Sequence, residues 1–245
     1  MPFLNSIRTL EDLTGKHTYP FDIPAFSRGI ELEFTRNVVF FVGENGSGKS
    51  TLLEAIAENC GFNPSGGNRN HRYAFHKTEA DLGSALRFAW LPRVTDGFFL
   101  RAESFFNFAT YVDQMEEEEP GMVDGYGGRS LHGQSHGEAF LALFNSRFKR
   151  KGIYLLDEPE AALSPKRQLA FLALMHELER SGKAQFVIAT HSPILLSYPQ
   201  AEIFSFDHAP IARVAYEETE HYQITRDFLS NPDRFFRHLF AEEDH

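Results

Sequence analysis

The chain has 245 residues, 42% of them hydrophobic, which is enough for one large α/β domain with a full core. Its formal charge of −10 argues against a broad nucleic-acid-coating surface, though not against a local basic patch. A single cysteine, Cys60, excludes an intramolecular disulfide, and no apolar run approaches the roughly 20 residues of a membrane span, so a cytoplasmic protein without membrane insertion is expected. The N-terminus carries no signal-peptide pattern, in keeping with that expectation.

In chain order, residues 1–37 read as an irregular lead-in with edge strands. The prolines of Tyr19-Pro20-Phe21-Asp22-Ile23-Pro24 rule out a central strand there, whereas Ile30 to Phe34 alternates with period two. Next come the apolar run Val38 to Val42, the loop Gly43-Glu44-Asn45-Gly46-Ser47-Gly48-Lys49-Ser50-Thr51, and a helix to about Asn59. Strand, glycine loop and helix in that order make a P-loop. Its backbone N–H groups turn inward and the helix adds the positive end of its dipole, which suits a phosphate chain. Lys49 is expected to reach the β- and γ-phosphates of a nucleoside triphosphate, and Ser50 to ligate Mg²⁺.

Residues 63–70 are turn-rich and predict a loop, followed by strands over 85–90 and 97–100. Residues 103–119 predict a helix ending in four glutamates, best read as a solvated helix end rather than a metal site. Residues 120–134 carry five glycines and form a long loop, and a helix follows over about 137–149. Ile153 to Leu156 is a continuous apolar run, the mark of a central parallel strand covered on both faces. It delivers Asp157 and Glu158 to the strand's carboxyl end, where open α/β sheets bind ligands. Asp157 is placed to hold Mg²⁺ and Glu158 to polarise the attacking water.

A helix over 165–180, a strand over 184–189, a helix over 193–197 and strands near 202–206 and 211–215 complete the alternation. His191 follows the strand ending at Ala189 and can meet both the γ-phosphate and Glu158. The tail predicts two short helices broken at Asn231-Pro232. The 25 phenylalanines read as core packing.

With these residues in place, the chain resembles the ATPase domain of the ABC superfamily, in the soluble branch shared with SMC-like and DNA-repair ATPases. Residues 36–206 carry the likeness: Gly43 to Thr51 resembles Walker A, Leu155 to Glu158 Walker B, Ala162-Leu163-Ser164 the D-loop, and His191 the switch histidine. Ser135-His136-Gly137-Glu138, read physically as an N-cap with a capping box, resembles the signature motif. More narrowly, residues 97–106, 134–138, 157–165 and 219–226 resemble a group of small bacterial predicted ATPases.

The resemblance implies one P-loop NTPase domain over 1–245, with a mostly parallel sheet, antiparallel edge strands and an inserted helical lobe at 101–150. It also implies ATP and Mg²⁺ as ligands, hydrolysis, and a head-to-tail homodimer in which Ser135 and Gly137 contact the γ-phosphate held by the partner. Two family features have no clear counterpart. Arg101 or Glu103 stands near the place of the glutamine ahead of the lobe, and Tyr19, Phe21 and Phe26 are the candidates for stacking on adenine. A dimerisation switch with little turnover is the first alternative, and a transporter motor subunit the next. Arg69, His71, Arg72 and Lys77 make a basic cluster whose plainer reading is a solvated loop rather than a DNA contact. An unidentified protein partner completes the expectations.

Overall fold

Nine strands run through the described residues in the order β1 (Leu4–Thr9), β2 (Glu31–Glu33), β3 (Val38–Val42), β4 (Leu86–Trp90), β5 (Gly97–Arg101), β6 (Gly152–Asp157), β7 (Ala184–Ala189), β8 (Ala201–Ser205) and β9 (Ala212–Val214). The helices are α1 (Lys49–Cys60), α2 (Pro165–Arg180), α3 (Pro193–Leu196), α4 (Glu220–Ser230) and α5 (Pro232–Leu239). The computed structural model describes residues 1–10, 18–63, 82–94, 96–102, 140–141, 144 and 151–240. Most of the lobe expected at 101–150, Glu103 and the signature-like Ser135 and Gly137 therefore lie outside the described residues, as do the glutamate run and the basic cluster at 69–77. Among the described residues no helix is long and apolar enough to cross a membrane.

The main sheet has the order β5-β6-β7-β3-β8-β9, parallel except for β9, which runs antiparallel to β8. Its three central strands, β3, β6 and β7, are buried at every position, which is why their sequences are mostly apolar and not alternations, with Gln185 and Asp157 the polar exceptions. Alternate side chains still part to opposite faces. Val39 and Phe41 join α1 and a second, smaller sheet in one core, while Val38, Phe40 and Val42 join Phe171 and Met175 of α2, Leu195 of α3, Phe140 and Phe144 in the other. Burying each such side chain contributes about 1.5–3 kcal/mol. Whereas Phe236 and Phe240 of the tail are exposed, the phenylalanines of these two clusters are thus core packing, as the sequence suggests. Cys60 is buried among them.

The smaller sheet, order β2-β1-β4, is antiparallel. This corrects the expectation for the N-terminus, because β1 is the middle strand of that sheet and not an edge. A register shift between Leu4 and Ser6 breaks the pairing with β4, so Leu4 and Ile7 are the buried residues and no period-two pattern appears in the sequence. Gln185, fully buried at the start of β7, accepts from the backbone N–H groups of Phe3 and Leu4 at 2.8 Å each and donates to the Leu4 carbonyl at 2.9 Å. One amide side chain thus satisfies three main-chain groups where the two sheets meet.

The helices are bounded by local chemistry. Gly61 ends α1 in the left-handed region (φ 77°), with its N–H on Glu58 and the Phe62 N–H on Ala57, a Schellman closure. Pro165 opens α2 after Ser164, and Gln168, Phe171 and Met175 form its buried stripe. At the other side of the sheet, Gly97 has φ 147°, and a Cβ there would stand 1.9 Å from the Ile153 carbonyl oxygen, so β5 can pair with β6 only through glycine.

Candidate functional site

The register of the parallel strands brings the polar groups into one row. Arg101 pairs with Asp157 across β5 and β6, and Asp157 pairs with Ala189 across β6 and β7, so the loop carrying His191 leaves the sheet beside Asp157. β3 lies next to β7 and opens into the glycine loop at the same edge. All of these strand ends are carboxyl ends, where the sequence places the site.

The glycine loop is built by its own backbone. Gly43, Gly46 and Gly48 have φ of 142°, 80° and 102°. At Gly48 a Cβ would meet the Phe26 ring at 2.8 Å, so the turn into α1 needs glycine on two counts. Lys49 is buried and its ammonium donates to the carbonyls of Gly43 (2.6 Å) and Glu44 (2.9 Å). Burial lowers its pKa, against the opposing pull of Glu158 first and then Asp157, Asp207 and Glu44. The Ser47 hydroxyl is buried with no hydrogen-bond partner among the described residues. An orphaned donor, a buried ammonium and a glycine turn at a helix start fit a phosphate chain. The Glu44 N–H donates to Asp207 at 2.9 Å, which anchors the loop to the segment after β8.

Ser50 Oγ donates to Asp157 Oδ1 at 3.0 Å, so the two expected Mg²⁺ ligands already share one locus. Asp157 is pushed up to about 6 by burial, resisted by Arg101 and by the Ser50 hydrogen bond. A buried carboxylate that is costly to ionise and lies beside a hydroxyl fits a divalent cation. Arg101 Nε stands 3.6 Å from the other Asp157 oxygen, and its guanidinium reaches Glu54 of α1 at 2.5 Å. Of the two residues considered for the place of the family's glutamine, Arg101 is thus seen at the Asp157 carboxylate.

Glu158 is the only non-glycine residue with positive φ (51°) among the described residues. The left-handed conformation is unfavourable for glutamate and turns its half-exposed carboxylate away from the line of β6. His191 Nε2 lies 3.7 Å from Glu158 Oε1 and is buried with no hydrogen-bond partner among the described residues. Burial lowers the His191 pKa, followed by the nearby Lys49 and then His221, with Glu158 opposing. The structure therefore brings together Lys49, Ser50, Asp157, Glu158 and His191, with Arg101 beside them.

Two residues here escaped the sequence reading. Glu160 accepts from the His191 N–H at 2.6 Å and from the Thr190 hydroxyl at 2.8 Å, clamping the loop that presents the histidine. In sequence it is one more acid after Asp157-Glu158-Pro159, and burial raises its pKa despite those hydrogen bonds. His221, from the first turn of α4, lies 2.7 Å from His191. Its only sequence signal was its place in the tail that resembles other small ATPases. Tyr19 and Phe26 also separate. Phe26 is fully buried against Phe206, whereas Tyr19 is half exposed, meets Thr51 Oγ1 at 3.2 Å, and lines a cleft of about 410 Å³ with Gly46, Lys49, Ser50 and Glu158. That volume is in the range of small-ligand sites.

Comparison with known proteins bears on the family and on the fold. Residues 21–116 match a family described as "AAA domain", and residues 124–197 one described as "AAA domain, putative AbiEii toxin, Type IV TA system". The hemin import ATP-binding protein HmuV of Streptomyces coelicolor is 30% identical over 185 residues, covering 69% of this chain and 65% of that protein's length. The structure of cbiO1 from Clostridium perfringens, part of the ABC transporter complex cbiONQ, superposes with a TM-score of 0.53 over 94% of this chain and 97% of that one, at 18% identity. A nucleotide-free ATP-binding cassette from an ABC transporter gives 0.52 over 94% and 97%, at 16% identity. At such identities the two structures speak for the fold.

Proposed function

For a chain that belongs to the ABC superfamily of P-loop ATPases, we propose ATP binding and Mg²⁺-dependent hydrolysis to ADP and phosphate at the strand ends just described. The observation that carries the reading is a cleft lined by Lys49, Ser50 and Glu158, with Asp157 joined to Ser50 and His191 beside Glu158, so that three separate stretches of sequence meet there. Lys49 and the amides of 44–50 hold the phosphates, and Tyr19 is the aromatic ring placed at the cleft's rim. Mg²⁺, held by Ser50 and Asp157, would neutralise charge on the β- and γ-phosphates. Glu158 accepts the proton of the attacking water, and His191 donates from Nε2 to the γ-phosphate, where charge changes during transfer. Glu160 keeps that histidine in place through its backbone.

The reading includes a second copy of the chain. Glu158 is half exposed and the cleft is open, so water has access from the face where a partner's Ser135 and Gly137 would close it. A head-to-tail homodimer formed on ATP binding supplies that closure. The test is the solution mass of Glu158→Gln with and without ATP and Mg²⁺. A shift from monomer to dimer with nucleotide is expected, and a persistent monomer with ATP demonstrably bound would remove the partner from the site. One observation favours a switch with slow turnover: Arg101 Nε stands 3.6 Å from Asp157 Oδ2 and competes with a metal for that carboxylate. What the cycle drives, in a partner protein or elsewhere, is outside this proposal.

A further inference from the structure

His191 Nδ1 and His221 Nε2 lie 2.7 Å apart, with ring centroids 4.8 Å apart and planes at 54°. At that separation a single hydrogen sits between the two nitrogens. Which ring supplies it decides what His191 presents on its far side. Were the hydrogen His191's own, on Nδ1, its Nε2 would be a bare lone pair facing the Glu158 carboxylate 3.7 Å away, acceptor against acceptor. With the hydrogen supplied by His221, His191 keeps its own proton on Nε2, where the N–H dipole points at the carboxylate.

We propose that His221 is a positioning residue that donates from Nε2 to His191 Nδ1 and so fixes His191 as the Nε2–H tautomer, the form that can donate to a γ-phosphate. This rests on the reading of His191 as the phosphate contact. Both the Nε2–H neutral form and the doubly protonated form of His221 supply the same hydrogen, so the arrangement tolerates either state of that ring. The Nε2 atom of His191, buried and without a hydrogen-bond partner among the described residues, is left to an incoming acceptor.

The position of His221 is held by independent contacts. Thr219 is buried at the N-cap of α4, where its hydroxyl donates to the Tyr216 carbonyl at 2.7 Å and accepts from the Tyr222 N–H at 3.4 Å. Tyr216 donates to the Pro193 carbonyl at 2.9 Å, two residues beyond His191, and its ring packs on Tyr222 at 4.5 Å. The C-terminal helical segment is thereby tied to the loop that it orients, on both sides of the histidine pair. The consequence is a route by which α4 acts on hydrolysis without touching nucleotide.

The experiment reads the tautomer directly. In full-length protein with ¹⁵N-labelled histidine, free of nucleotide, long-range proton–nitrogen spectra at about pH 8 distinguish the protonated ring nitrogen from the bare one. His191 is assigned by the signals lost in His191→Gln. Wild type is expected to show a bare Nδ1 and a protonated Nε2. His221→Gln places an amide donor where Nε2 stood and keeps that pattern. His221→Phe loses the bias, and His221→Glu, an acceptor at that place, moves the proton to Nδ1. With ATP and Mg²⁺, His221→Phe is expected to lower kcat about tenfold with KM within about twofold, and His221→Gln to restore most of it. An Nδ1–H tautomer in wild type, or an unchanged tautomer in both His221→Phe and His221→Glu, would overturn the proposal. Wild-type protein with the expected tautomer but no turnover would leave His221's role standing and count against the hydrolysis reading alone.

Discussion

The two halves of the site are made in different ways. The phosphate half, residues 43–51, is contiguous and built from backbone: glycine dihedrals, a helix start, and a lysine folded back on carbonyls five and six residues away. The switch half is built from side chains brought together by the sheet, with Glu158 and Glu160 after β6, Thr190 and His191 after β7, and His221 some 30 positions farther on. Binding is thus a local property of the chain, and control of the chemistry is a property of its packing. Damage to the first should abolish affinity, whereas damage to the second should slow turnover and leave affinity intact.

The largest expected effect tests the first half. Lys49→Ala removes the ammonium seated on the loop's carbonyls, and ATP affinity and turnover should each fall by about two orders of magnitude, read by calorimetric titration and phosphate release. Glu160→Ala probes the second half. It strips two hydrogen bonds from the switch loop, so kcat should fall about tenfold while the dissociation constant for ATP stays within about twofold. Equal losses in both quantities would erase the distinction between the halves.

Two smaller effects concern stability. The Asp157 pKa is raised in the folded state, from the ordinary 3.8 to about 6, so the folded protein binds this proton more tightly than the unfolded chain does. Stability therefore falls as pH rises from 3.8 to about 6 on account of this group, and stays lower above that. Asp157→Asn should raise the nucleotide-free protein's unfolding free energy at pH 7.5 by about 1–2 kcal/mol and flatten that segment of the pH profile, measured by urea unfolding. Glu158→Gly relieves a left-handed glutamate and should add up to about 1 kcal/mol while turnover is lost, a stability gain at the cost of activity.

The same contrast explains what the sequence discloses. A contiguous strand, loop and helix announces itself, so the glycine loop, β6 with Asp157 and Glu158, and the strand before His191 were all legible. The apolar run Ile153 to Leu156 pointed to a central parallel strand, because a strand covered on both faces has no polar face to show. Where the cause lies in distant contacts, the signal fades. β1 hid behind its register shift, Glu160 looked like one more acid, and His221 acts only through a ring 30 positions away. Arg101 stood between these cases: its place before the lobe was visible, but its pairing with both Glu54 and Asp157 needs the register of β5 on β6.

The most direct test of the central claim is phosphate release from ATP and Mg²⁺ by wild type and Glu158→Gln, at saturating nucleotide, with binding of ATP to both measured in parallel. The account predicts affinities within about threefold and turnover by Glu158→Gln lower by at least about a hundredfold. Turnover by Glu158→Gln matching wild type would contradict it, since the strained carboxylate facing His191 would then have no part in the chemistry.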